Sequence, residues 1–68
     1  MKLKVFYDRE NKEKIIIIDN NLTVKDLLAR LNINPVTVIV SKNNEIILES
    51  DRLNDKDDIK IISVISGG

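Results

Sequence analysis

Leu22-Thr23-Val24-Lys25-Asp26-Leu27-Leu28-Ala29-Arg30-Leu31 carries the signature of a capped helix. A helix start leaves its first N–H groups without partners. Thr23 is placed to accept one of them, and Asp26, three residues on, completes a capping box. Leu22 and Leu27 have the spacing of a hydrophobic staple across that start. Val24, Leu27, Leu28 and Leu31 fall at i, i+3, i+4 and i+7, one apolar stripe, with Lys25, Asp26 and Arg30 off it. The pattern predicts a helix over residues 24–32. Asn32 can close it, and Pro35 prevents any continuation.

On either side of this helix the apolar period drops to two. Lys2 to Tyr7 alternates, with Leu3, Val5 and Tyr7 on one face and Lys2, Lys4 and Phe6 on the other. That predicts a strand. The polar run Asp8 to Lys12 suits a hairpin loop. Glu13 to Ile18 follows as a second strand, because four consecutive β-branched isoleucines favour strand over helix. Asp19-Asn20-Asn21 breaks it. After the helix, Val36 to Ser41 is predicted as a third strand. Lys42 to Glu45 is a tight turn in which Asn can take positive φ. Ile46 to Leu48 is a short fourth strand, and Ile59 to Ile65 is the last. Between them, residues 49–58 form a polar connection that Leu53 should pin to the core.

The order is β-β-α-β-β-β. One nine-residue helix cannot cover a face of five strands unless the sheet curls around it. The expectation is an α+β layer architecture, a mixed five-stranded sheet clasping one helix. Strands 1 and 5 are expected as parallel neighbours at its centre, which suits the Ile/Val density of strand 5. Alternation sends Leu3, Val5, Ile16, Ile18, Val38, Val40, Ile59 and Ile61 toward the helix. Phe6, Ile15, Ile17, Ile39, Ile62 and Val64 then point away, with no second helix to cover them. An uncovered apolar patch of this kind marks a partner surface; covering by loops or by a second copy is the plainer alternative.

Composition narrows the function classes. Sixty-eight residues make one small domain, expected over 1–65, with 66–68 as a flexible tail. Lys+Arg and Asp+Glu are equal at 11 each, which gives no electrostatic case for nucleic acid or membrane. Phe6 and Tyr7 are the only aromatics, too few for a base-stacking surface. The sequence has no Cys and no His, so it lacks a thiol nucleophile, an imidazole base and the commonest metal ligands. The chain reads as a non-enzyme without a cofactor or metal of its own. Asp51, Asp55, Asp57 and Asp58 lack the Gly and terminal Glu of a calcium loop and read as a solvated turn. Tyr7 beside Asp8 reads as packing, not as a catalytic pair. Lys2 and Lys4 interrupt any signal-peptide core, and the apolar run Ile15–Ile18 is too short to span a bilayer. A cytoplasmic protein is expected.

Gly67-Gly68 are the only glycines, where average usage would place about five. Glycine serves backbone freedom or close approach, and a chain end has no turn to make. Two residues without side chains leave an open acyl end able to thread a narrow tunnel. Gly68 thus carries a carboxylate that another enzyme can activate; a frayed end is the plainer reading.

With Thr23-Val24-Lys25-Asp26-Leu27-Leu28 opening the helix, and with Leu53 to Gly68 running from Leu through an Asp-rich turn and an apolar strand to Gly-Gly, the whole chain resembles the ubiquitin-like β-grasp proteins. More closely, it resembles the small prokaryotic sulfur carriers of thiamine and molybdopterin synthesis and the archaeal ubiquitin-like modifiers. The turn Asp55-Lys56-Asp57 departs from the family, which usually has Gly where Lys56 stands. The resemblance implies a shuttle. An ATP-dependent activating enzyme would adenylate the Gly68 carboxylate, with Gly67 and Ser66 as the tail it threads. Sulfur transfer would then give a thiocarboxylate for a sulfur-accepting biosynthetic enzyme, of thiamine, molybdopterin or tRNA-thiolation type. Alternatively, lysines of conjugation targets would take the acyl group. An inert interaction domain is the third reading. The resemblance also implies docking through the sheet face of Phe6, Ile15, Ile17, Ile39, Ile62 and Val64.

Overall fold

The computed structural model describes residues 1–18 and 21–64. Its elements run β1 (Lys2–Tyr7), β2 (Lys12–Ile17), α1 (Val24–Arg30), a single 3₁₀ turn (Pro35–Thr37), β3 (Val38–Lys42), β4 (Glu45–Ile47) and β5 (Asp58–Ser63). The strands form one sheet in the order β2-β1-β5-β3-β4. The first and last strands pair in parallel at its centre, Lys4 opposite Asp58 through Tyr7 opposite Ile61. The other three pairings are antiparallel. The expected mixed five-stranded sheet on one helix is therefore what forms.

The helix begins as its sequence dictates. The Asp26 N–H donates to Thr23 Oγ1 and the Thr23 N–H to Asp26 Oδ2, both at 3.2 Å. The Val24 and Lys25 N–H groups donate to the Asp51 and Glu49 carbonyls, both at 2.9 Å. The loop before β5 thus satisfies the helix donors that the capping box does not reach. At the other end, Asn32 takes φ 60°. Its N–H donates to Ala29 and that of Ile33 to Leu28, the paired bonds of a Schellman closure. The helix is two residues shorter than the periodicity predicts, since Leu31 serves as its cap.

Val24, Leu27 and Leu28 are buried against Leu3, Val5, Val40, Ile59 and Ile61 of the sheet. Leu22 and Leu53 close the core at the helix start, where the Leu53 N–H donates to the Leu22 carbonyl at 2.8 Å. Leu53 is 1% exposed, so it does pin its polar loop. Ile16 and Val38 lie at the core margin and are half-buried. The third strand corrects its prediction. Asn34 Oδ1 accepts the Val36 N–H at 3.1 Å and holds Pro35-Val36-Thr37 in a 3₁₀ turn, so the strand starts at Val38 rather than Val36. β2 and β4 each begin one residue earlier than predicted, and β5 runs from Asp58 to Ser63. The β3–β4 turn is a two-residue loop with Asn43 at φ 51° and Asn44 at φ 73°, the double positive φ of a type I′ hairpin.

Two outcomes follow for stability. Lys56 sits at φ 69°, where a side chain costs about 1–2 kcal/mol and glycine far less. Lys56→Gly should stabilise the fold by about 1 kcal/mol and raise the thermal midpoint by roughly 4–8 °C, measured by circular dichroism. The Thr23 backbone N–H, then its hydroxyl, hold the Asp26 carboxyl below its ordinary pKa, helped by Lys25 and Arg30. A lowered folded pKa adds stability above the ordinary carboxylate range and loses it as pH falls through the lowered value. Asp26→Asn should therefore be less stable than wild type at neutral pH, with the gap closing in acid, as read by urea titration at several pH values.

Candidate functional site

Register places the outward residues. Ile15 lies opposite Lys4, and Ile17 opposite Lys2. Phe6 lies opposite Lys60, Lys60 opposite Ser41, and Ile62 opposite Ile39. Val64 follows Ile62 by two residues, on the same side as the strand ends. All six residues expected on the outer face are there. Ile15, Ile17, Ile39, Ile62 and Val64 are exposed, while Phe6 is half-buried.

The face is not one continuous patch, however. Lys2 and Lys4 of β1 stand between Ile15 and Ile17 on the β2 edge and the rest of the sheet. A Lys4–Glu13 ion pair of 3.5 Å lies along that seam. Phe6, Ile39, Ile62 and Val64 gather instead at the end of the sheet where β5 finishes. Ile46 joins them, because the type I′ turn sets it opposite Ser41. It is 73% exposed, and Leu48 beyond it is 70% exposed. Neither was expected on this face. The signal was present in the sequence: a two-residue Asn43-Asn44 loop fixes the β4 register and hence the side Ile46 takes.

The root of the tail is equally defined. The Val64 N–H donates to the Thr37 carbonyl at 3.0 Å. On the other side, the Asp8 carboxylate accepts the Ser63 backbone N–H and hydroxyl, each at 3.1 Å. Tyr7 packs at the core margin, as expected. Ser66, Gly67 and Gly68 lie outside the described residues, as does Ile65.

The aspartates of the last loop are not simply a solvated turn. Asp57 is buried. It accepts the Asn54 N–H at 2.6 Å and the Asn43 side-chain amide at 3.1 Å, with Lys42 Nζ at 4.0 Å. Asn43 Oδ1 in turn accepts the Asp58 N–H at 2.9 Å. Asp51 accepts the Leu48 N–H at 2.8 Å, and Asp55 accepts the Lys2 N–H at 2.7 Å. These carboxylates are engaged separately, each accepting a main-chain N–H of its own. Among the described residues, no group of three or more His, Cys, Asp or Glu side chains could hold a metal ion. Nor is any described helix long and apolar enough to cross a membrane.

Comparison with known proteins agrees with this geometry. The crystal structure of the thiamine biosynthesis protein ThiS from Geobacter metallireducens matches with a TM-score of 0.70 at 23% identity, covering 100% of both chains. That of SAMP1 from Haloferax volcanii matches with a TM-score of 0.73 at 16% identity, again over 100% of both. At such identities the two structures speak for the fold alone, the ubiquitin-like β-grasp. The sulfur carrier protein TtuB of Thermus thermophilus is 28% identical over 57 residues, 84% of this chain and 88% of that protein. A protein of Archaeoglobus fulgidus is 34% identical over 68 residues, 100% of each chain. The model of the ThiS family matches residues 4–68, running from β1 through both terminal glycines. The chain belongs to the ThiS family and is a sulfur carrier protein rather than an enzyme.

Proposed function

We propose that this carrier works through Gly68, which a partner enzyme activates with ATP and converts to a thiocarboxylate. A carboxylate oxygen of Gly68 attacks the α-phosphorus of ATP. The bond to the departing phosphate oxygen breaks, and pyrophosphate leaves behind an acyl-adenylate. A sulfur nucleophile supplied by the partner then attacks the carbonyl, and AMP leaves. If that sulfur arrives as a persulfide, a second thiol of the delivering enzyme cleaves its S–S bond, forms a disulfide and frees the thiocarboxylate. The sulfur next passes to a biosynthetic enzyme of thiamine, molybdopterin or tRNA-thiolation type.

The observation that carries this reading is a family match that extends through Gly67-Gly68. The chemistry suits the sequence. A carboxylate acylates poorly until its oxygen becomes part of a leaving group, and glycine then offers an unhindered carbonyl. With no Cys the chain cannot carry a persulfide of its own, so the thiocarboxylate is the sulfur form open to it. The name of the Thermus relative, a sulfur carrier protein, points the same way.

The activating enzyme docks on the apolar cluster of Phe6, Ile39, Ile62 and Val64, with Ile15 and Ile17 as a separate margin across the lysine seam. Its position supports this role, since β5 contributes Ile62 to the cluster and then leads directly into the tail.

Intact-mass spectrometry of the protein from its own cells tests the chemistry. A C-terminal oxygen replaced by sulfur is the expected product. Gly-Gly remnants on lysines of other proteins would instead assign it to conjugation, and an unmodified Gly68 under sulfur demand would leave an inert interaction domain. Gly67→Val should block tunnel entry and abolish adenylation, followed by ATP–pyrophosphate exchange. Ile62→Asp or Ile39→Asp should weaken binding of the activating enzyme by about ten-fold or more while the circular dichroism spectrum stays native; unchanged affinity would remove the face from the docking surface.

A further inference from the structure

We propose that Asp8 is a positioning residue for the activation step, a side-chain clamp that fixes the direction in which the tail leaves the sheet. The inference rests on the activation of Gly68 proposed above. Its structural basis is the unequal ending of the two central strands. β1 and β5 pair in parallel only as far as Tyr7 opposite Ile61. There β1 turns away into its hairpin, and the Asp8 N–H makes the last backbone bond, to the Ile61 carbonyl at 3.1 Å. β5 continues for two more residues. The Ser63 N–H then faces the side from which its partner strand has departed.

The Asp8 carboxylate fills that place. Both of its oxygens lie 3.1 Å from the Ser63 nitrogen, and Oδ1 also accepts the Ser63 hydroxyl at 3.1 Å. The carboxylate adds one rung to the ladder beyond the end of the strand. The hairpin holds Asp8 itself, since the Asn11 N–H donates to the Asp8 carbonyl at 3.1 Å. On the opposite side, the Val64 N–H donates to Thr37. Two consecutive N–H groups at the foot of the tail are therefore fixed from opposite flanks, one by a charged side chain and one by backbone.

Only four residues separate Val64 from the Gly68 carboxylate, a reach of about 14 Å when fully extended. Such a short tether carries any error at its root out to its end. A swing of about 20° at Val64 moves the carboxylate by roughly 5 Å, where a misplacement of about 1 Å can already cost a hundred-fold in rate. A clamp at Ser63 narrows the set of tail directions presented to ATP, and Asp8 bonds Ser63 itself rather than any side chain of the docking cluster.

The test is ATP–pyrophosphate exchange with the activating enzyme, read as separate kcat and KM for the carrier. Asp8→Ala should lower kcat by about ten-fold and leave KM within about two-fold, the signature of an interaction that acts on the reacting state rather than on docking. Asp8→Asn keeps an oxygen for the Ser63 N–H and should recover most of the loss. Amide hydrogen exchange should quicken at Ser63 and Val64 in Asp8→Ala, while Leu27 and Ile59 keep their protection. If Asp8→Ala does not fold, Asp8→Leu, which keeps the side chain's bulk but offers no acceptor to the Ser63 N–H, carries the same comparison. A kcat equal to wild type despite faster exchange at Ser63 overturns the inference alone. So does a loss of kcat accompanied by lost protection at Leu27 and Ile59, which would make Asp8 merely structural. A wild-type chain that is itself not adenylated would overturn the activation reading and this inference with it.

Discussion

Parallel pairing of β1 with β5 is the constraint on which the rest of this molecule depends. Two parallel strands cannot be joined by a tight turn, so everything between Tyr7 and Asp58 must serve as the crossover. That crossover contains the single helix, which is where a parallel pair gets its cover. Leu3 and Val5 of β1 and Ile59 and Ile61 of β5 all lie at or below 3% exposure, as do Val24, Leu27 and Leu28 of the helix that covers them. The same pairing decides where function can sit. Parallel strands finish at the same end of the sheet, so the chain beyond β5 emerges beside the β1–β2 hairpin.

A seven-residue helix is little material for a core. The molecule has no disulfide to compensate, and a chain of this size has a thin stability margin. The core is completed by residues outside regular structure. Ile18, Leu22 and Leu53 are each buried, and burying an aliphatic side chain of that size contributes about 1.5–3 kcal/mol. The backbone around them is held by polar side chains: Asp51, Asp55 and Asp57 each accept a main-chain N–H. A chain with two glycines, both at its end, has to place ordinary residues at positive φ. Among the described residues Asn fills four of the five such positions, and Lys56 is the exception.

The local signals were legible in the sequence because they depend on neighbours a few residues apart. Thr23 and Asp26 cap the helix, Leu53 anchors its loop, and the alternation of β1 and β5 sorts core from surface. What the sequence hid depends on pairing between distant segments. Val36 is the local exception: it looks like a strand residue until Asn34, two positions back, accepts its N–H and bends the chain. Asp57 looks solvated until the β3–β4 turn brings Asn43 across it. The outer apolar residues look like one patch until the register inserts Lys2 and Lys4 among them. Asp8 gave no signal at all, since its partner Ser63 is 55 residues away.

A carrier performs no chemistry by itself, so its structure has to solve a problem of presentation. The reactive atom must be bare enough to enter another protein's active site, yet its position must be reproducible. These demands conflict within one segment, because a residue without a side chain has little with which to hold its own position. In the proposed mechanism they are divided along β5. Ile59 and Ile61 anchor the strand in the core, and Ile62 reaches the outer face. Ser63 and Val64 take bonds from both flanks, and side chains are given up only in the final two residues. A partner that grips the sheet at Ile62 therefore knows, through one strand and a tether of about 14 Å, where to find the carboxylate. In that reading the docking surface and the reactive end are coupled by the covalent continuity of one strand, and the bonds to Ser63 and Val64 set the direction in which that continuity points.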